Sequence, residues 1–344
     1  MNYALFESNM LLWGGDNRAK AYLCARKSEI AMNNKTKGYI YGAVAAATYG
    51  MNPLFALPLY QDGMDANSVL FFRYLLAIPI LWAMIRWRGR DFRLTRRELP
   101  ALVVLGLLMA CSSLTLFLSY TYMAAGIAST LLFVYPILVA LIMAIFFKEK
   151  ISLLTVMCIA LALVGIAMLY KGDGDATLSL AGVALVMASS LSYAIYMVGV
   201  NLPRVREVPT VKLTFYALLF GFSVFVVRVG VGSGLCVPAH WYHWLNLVAL
   251  AVLPTVVSFV STTIAIQYIG STPTAILGAL EPLTAVFFGV MIFGETLTPR
   301  IVGGIVLIVV AVTMIIAGGR IGAYLLRFRK LFPKLPRIRK KRAA

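Results

Sequence analysis

The chain has 344 residues, 61% of them apolar and 13% charged, with a mean hydropathy of +0.88. Soluble domains run near half apolar and a quarter charged, and no single soluble core of this length hides so much apolar surface. Composition therefore excludes a soluble fold and indicates an integral membrane protein. A formal net charge of +18 raises nucleic acid as a partner, and the placement of the charges decides that question.

Residues 1–37 carry both charge signs and no secretory signal pattern. They read as a cytoplasmic N-terminal extension, with Met32, at the head of MNNKTKGYIYG, as an alternative start. Apolar runs then predict ten helices, at roughly 39–60, 66–86, 99–120, 126–147, 151–170, 178–199, 211–232, 245–268, 273–294 and 299–318. Leu99–Phe147 and Val229–Leu280 hold no charged side chain, and each has room for two spans of ~20 residues. The seventh span is the least defined, because Arg228 falls near its end. A basic tail, residues 319–344, closes the chain.

Orientation follows from Lys and Arg. With both termini cytoplasmic, 27 of the 31 lie inside, only Lys171, Arg228 and Arg300 lie outside, and Arg73 falls within the second span. That asymmetry is a strong positive-inside signal and accounts for the net charge. The tail (RFRKLFPKLPRIRKKR) accordingly reads as an anchor at anionic lipid headgroups, and nucleic acid is not expected as a partner.

The sequence also repeats itself. YPILVALIMAIFFKE (Tyr135–Glu149) lines up with EPLTAVFFGVMIFGE (Glu281–Glu295) at an offset of 146 residues, superposing Tyr122 on Tyr268, Pro136 on Pro282 and Glu149 on Glu295. Gly38 and Tyr49 match Gly182 and Tyr193 at an offset of 144. Each half holds five spans, an odd number, so the second enters the membrane inverted relative to the first. The predicted fold is an all-α polytopic membrane protein of ten transmembrane helices in two inverted five-helix repeats, 38–172 and 178–318. Secondary transporters with a site at the repeat interface share this plan.

Pro136 followed by Glu149, and Pro282 followed by Glu295, resemble the EamA domain of the drug/metabolite transporter superfamily, and Arg73 also fits its pattern. The resemblance covers about residues 38–318 in two copies. It implies an inner-membrane, multi-pass carrier with cytoplasmic termini that exports amino acids or related metabolites. The first copy has Tyr135 where the second has Glu281, a position that varies in the family, so the resemblance does not carry over a substrate.

Glu281 is the leading candidate for substrate binding and coupling. It lies about eight residues, or ~12 Å, into the ninth span, where a carboxylate costs at least ~2.5–3.5 kcal/mol unless it faces a cavity or a partner. Burial favours the neutral acid, so such a group can take up and release protons during a transport cycle. A structural carboxyl bonded to a neighbouring helix is the competing reading. Asn52, between Gly50 and Pro53, and the repeat-related Tyr135 and Tyr193 complete the candidate substrate-binding set. Arg73, Glu149 and Glu295 join Glu281 as candidates for coupling or gating. Arg73 is close enough to the outer surface to snorkel, either as an anion clamp or as a structural partner of a carbonyl, Asp62 or Asp65. Glu149 and Glu295 sit at helix C-termini, which disfavour anions, and Lys148, Lys150 and Arg300 are expected to compensate.

His240 and His243 lack a third ligand, and Trp241 and Trp244 beside them read as an interfacial belt. The sequence holds no P-loop, GxSxG or CxxC, so no enzyme, metal or cofactor is expected. The partners expected are a small-molecule solute, protons and lipid. Rival readings are a non-transporting scaffold or regulatory protein, an intramembrane enzyme, and, within transport, a drug or nucleotide-sugar carrier.

Overall fold

The computed structural model describes residues 17–96, 98–123, 128, 131–149, 151–169, 179–232, 234–293, 298–300 and 302–314. Among them the chain is helical with no strand. A helix satisfies its backbone N–H and C=O groups within its own segment, which hydrocarbon demands. The first half comprises α1 (Asn17–Tyr49), α2 (Asn52–Gln61), α3 (Ala66–Trp87), α4 (Leu99–Ser119), α5 (Tyr135–Phe147) and α6 (Leu153–Leu169). The second comprises α7 (Leu180–Val200), the single turn α8 (Pro203–Arg206), α9 (Thr210–Val231), α10 (Trp241–Ala251), α11 (Ser258–Ile269), α12 (Ser271–Leu277), α13 (Leu280–Phe293) and α14 (Val302–Met314). A π-helical segment, Val252–Val257, joins α10 to α11.

Among the described residues, five rods are long and apolar enough to cross a membrane: α3, α4, α7, α9 and the joined α10–α11. The apolar helices α5, α6 and α14 are shorter. The seventh expected span is a continuous helix, with Arg228 exposed in its last turn and its Nε 3.4 Å from Asn67 Oδ1.

Four expected spans are interrupted, and a proline stands at each interruption. Proline lacks the N–H that would bond the carbonyl four residues back. Pro53 leaves the Tyr49 carbonyl without that donor, and the chain turns at Gly50–Met51 between α1 and α2. Pro136 frees the Leu132 carbonyl, which Ser190 Oγ of α7 approaches at 3.0 Å. Pro254 frees the Leu250 carbonyl, and Thr255 Oγ1 donates to it at 2.7 Å within the π segment. Pro282 frees the Gly278 carbonyl, which accepts from the Glu281 N–H at 2.8 Å. The turns at Phe133–Val134 and Gly278–Ala279 occupy nearly equivalent places in the two copies.

The two halves interlock. α4 packs on α7 and α9, α3 on α9, and α1 on α11. Small residues permit these crossings. A Cβ on Gly106 would lie 2.6 Å from the Ala217 carbonyl oxygen, and one on Gly221 would lie 2.8 Å from that of Gly106, so α4 and α9 meet backbone to backbone. Serines add hydrogen bonds across the halves: Ser189 Oγ donates to the Ser112 carbonyl at 2.8 Å, and Ser258 Oγ to that of Ala45 at 2.9 Å. Such bonds contribute ~0.6 kcal/mol each between membrane helices, so close packing carries most of the association.

Candidate functional site

Tyr135 is the first residue of α5 and Glu281 the second of α13; each sits just past a break and is followed by proline. The Tyr135 hydroxyl donates to Glu281 Oε1 at 3.4 Å. These two residues superpose in the repeat. Tyr49, at the end of α1, and Tyr193, in α7, are the other repeat-related pair. Their rings are parallel to within 8° with centroids 6.2 Å apart. Tyr135 joins the group edge-on to Tyr193 at 5.0 Å. Two pairs of repeat-equivalent residues thus each contact their own equivalents.

Glycines make this approach possible. A Cβ on Gly50 would lie 2.3 Å from the Glu281 carbonyl oxygen, and one on Gly278 would lie 1.6 Å from the Tyr135 hydroxyl oxygen. A larger side chain at Gly50 would have to displace the α13 backbone, and one at Gly278 would have to displace the Tyr135 side chain.

Two small cavities flank the Tyr135–Glu281 contact. One, of about 30 Å³, lies on the α2 side and is lined by Tyr49, Asn52, Tyr120 and Phe133 among others. The second, of about 10 Å³, lies along α1 and is lined by Ala45, Tyr193, Met197 and Thr262 among others. At ~10–15 Å³ per water, they hold about two and one water molecules. Tyr135 and Glu281 line both cavities, so their contact is the partition between them. Glu281 is half-buried, whereas Tyr135 and Tyr193 are buried. Asn52 is 2% exposed, and among the described residues neither its Nδ2 nor its Oδ1 has a partner.

Arg73 differs from the snorkelling side chain expected: it is 0% exposed. Its Nε donates to Thr255 Oγ1 at 2.6 Å and its Nη2 to the Pro254 carbonyl at 3.2 Å, while Nη1 has no partner among the described residues. The guanidinium carbon lies 5.4 Å from the Phe117 ring centroid and 5.8 Å from that of Phe259. The π segment explains this placement. The Ser258 N–H bonds Leu253 and Thr255 carbonyls, leaving the Pro254 carbonyl to Arg73. Among the described residues no carboxylate lies within ion-pair distance of Arg73. Asp65 instead caps α3, accepting from the Asn67 and Ser68 N–H groups, and Asp62 Oδ2 pairs with His243 Nε2 at 2.9 Å.

The remaining candidates do not join this cluster. Glu149 is exposed beyond the far end of α5, about 21 Å along the helix from Tyr135 at ~1.5 Å per residue. Lys148, in the left-handed conformation at φ 53°, ends that helix. Glu295 lies outside the described residues. Among the described residues no group of three His, Cys, Asp or Glu side chains is placed to hold a metal ion.

Tyr49 and Thr255 are site residues that sequence reasoning passed over. The repeat match of Tyr49 to the candidate Tyr193 was the available signal for the first. Thr255 had only the preceding Pro254 to mark it.

A helical, apolar, two-copy chain with a carboxyl group between its copies is a polytopic membrane protein of the transporter class. Residues 36–171 and 180–317 each match the EamA-like transporter family, and the chain belongs to that family. It is 28% identical over 267 residues to an "Uncharacterized transporter" of Archaeoglobus fulgidus, covering 76% of this chain and 90% of that protein. It is 25% identical over 252 residues to the "Uncharacterized transporter YdfC" of Bacillus subtilis, covering 71% of this chain and 80% of that protein. A solved structure titled "Crystal structure of protein" shares the fold with a TM-score of 0.71 at 16% identity, covering 86% of this chain and 99% of that one.

Proposed function

We propose that the protein is a secondary carrier exporting small metabolites, amino acids or related compounds, across the inner membrane by alternating access. In this reading ten spans form two inverted halves, both termini are cytoplasmic, and the site lies on the pseudo-two-fold axis. The observation that carries it is the contact of each repeat-equivalent pair with its own partner, Tyr135 with Glu281 and Tyr49 with Tyr193, as residues on such an axis do. Neither cavity admits an amino acid. A solute must therefore part Tyr135 from Glu281, and the cavity on one side grows as the other closes. Glu281, reached by water-sized cavities from both sides, is the group that exchanges protons with the solute's movement.

The test is uptake of a labelled panel of amino acids and metabolites into inside-out vesicles under an imposed proton gradient, with Glu281→Gln alongside wild type. Gradient-driven uptake lost in the variant supports the reading. Uptake that is equal in both assigns Glu281 to structure, and no flux of any solute by folded protein overturns the carrier.

A further inference from the structure

The first span breaks at a place where the structure leaves positive charge and polar groups unused. α2 is a ten-residue half-helix beginning at Asn52, and no side chain caps its N-terminus. A helix N-terminus carries roughly half a positive charge on its free N–H groups. Broken membrane helices present such ends to anionic substrate groups.

A second, independent feature points the same way. The buried Asn52 amide lines the larger cavity at this helix end, with both its nitrogen and its oxygen unbonded. An amide buried without partners is costly, so a site that retains one suits an occupant that bonds it. Glu281 lines the same cavity, yet its carboxyl is engaged by Tyr135 and not by Asn52.

The nearby charge also has no carboxylate within ion-pair distance among the described residues. Arg73 is always cationic and is packed behind the rings that wall the cavity. Phe259 stands 6.1 Å from Tyr49, and Phe117 stands 5.6 Å from Tyr120. Its Nη1 and the hydroxyl of Tyr60, another neighbour of Phe117 at 6.3 Å, are both buried without partners. Of the six such buried atoms among the described residues, four belong to Asn52, Tyr60 and Arg73.

We propose that Asn52 and the N-terminus of α2, with Arg73 as the positive charge behind them, form a subsite for a carboxylate of the transported solute. This deepens the carrier reading above and rests on it. The carboxylate accepts from Asn52 Nδ2 and the first N–H groups of α2, and the rest of the solute extends toward Glu281 and the tyrosines. Pro53 contributes no donor, which leaves the Asn52 amide as the side-chain donor at this helix end.

The experiment uses the full-length protein purified in detergent and reads the shift in its unfolding temperature. One probe is an equimolar pool of the free amino acids; the other is the pool of their carboxamides, which keep the ammonium and lose the carboxylate. Wild type is expected to favour the acids by at least about tenfold in affinity, the change brought by one charge-assisted hydrogen bond. Asn52→Asp places a carboxylate against the solute's own and should reverse the preference, since an amide can donate to Asp. Asn52→Leu, which keeps the volume, should abolish the preference without reversing it, and it serves if the Asp variant does not fold. Equal response to both pools in wild type, or an unchanged preference in the variants, overturns the subsite. A wild type that responds to neither pool overturns it as well. In that case vesicle flux of a solute without a carboxylate would still uphold the carrier.

Discussion

Thr255→Val removes one hydroxyl while keeping the shape of the side chain, and the structure says what that hydroxyl does. Its proton goes to the Leu250 carbonyl at 2.7 Å, the group that Pro254 leaves without a backbone donor. Its oxygen accepts from Arg73 Nε at 2.6 Å. Both partners are buried, so the variant leaves a carbonyl without a donor and a guanidinium N–H without an acceptor. An unmade buried hydrogen bond costs about 1–3 kcal/mol, and one to a charged group contributes about 1.5–3 kcal/mol. Interhelical bonds in membranes average only ~0.6 kcal/mol because the unfolded chain finds other partners, which pulls the sum toward its lower end. The expected loss is about 2 kcal/mol, and Thr255→Ser, which keeps the hydroxyl, should lose under about 1 kcal/mol. Reversible unfolding in mixed micelles, titrated with a denaturing detergent, measures both. A Val variant within about 0.5 kcal/mol of wild type would refute the pinning of the π segment by Arg73 and Thr255.

Gly50→Leu drives a side chain into the Glu281 carbonyl, 2.3 Å from where its Cβ would lie, so α1 and α13 must separate. A destabilisation of about 1–3 kcal/mol is expected in the same titration, and a neutral result would remove the backbone contact. Ser190→Ala deprives the carbonyl freed by Pro136 of its hydroxyl partner and should cost about 1 kcal/mol, whereas Ala at the half-buried Ser192, whose hydroxyl meets only the Cys111 Sγ at 3.7 Å, should change stability less. The hydrogen bond from His243 holds the Asp62 carboxyl below its usual range, at a loop outside the membrane spans. A depressed carboxyl stabilises the fold above its unfolded value, near pH 4, and loses that contribution as pH falls through the folded one. The stability gap between wild type and Asp62→Ala should therefore be full at neutral pH and narrow below about pH 4. A gap of the same size at pH 3 and pH 7 would contradict the pairing.

The apolar runs made the long rods α3, α4, α7 and α9 legible, because hydrophobic length is a local property. The interruptions were not legible in the same way. Pro53, Pro136, Pro254 and Pro282 are visible in the sequence, but whether a proline bends, breaks or widens a helix depends on what satisfies the freed carbonyl. Ser190 answers that for Leu132 from a helix 58 residues away in sequence, and Thr255 answers it for Leu250 from within the π segment. Repeat offsets picked out Tyr135, Tyr193 and Glu281, which the structure brings together, without any knowledge of packing. For Arg73 the structural pairing with a carbonyl was legible and its full burial was not. Its burial depends on a carbonyl that only the π segment exposes. Glu149 entered the candidate set through its repeat match and its place at a helix C-terminus, and neither says how far along its helix it stands from Tyr135.

Of the two repeat-equivalent pairs in contact, Tyr49 with Tyr193 and Tyr135 with Glu281, the one that differs in chemistry is also where the cavities meet. A strictly symmetric site would set Glu against Glu or Tyr against Tyr. Two carboxyls in a site of low polarity cannot both ionise and would have to share a proton, and two phenols would hold no charge at all. Tyr135 opposite Glu281 gives a donor facing an acceptor, with one ionisable group available to both cavities. Their contact at 3.4 Å is long for an O–H···O bond, so parting it forfeits little. A partition between two compartments has to be closed and still open on demand. In the alternating-access cycle proposed above, a weak, single contact between Tyr135 and Glu281 would meet both requirements, where a tightly bonded or wholly apolar one would meet only the first.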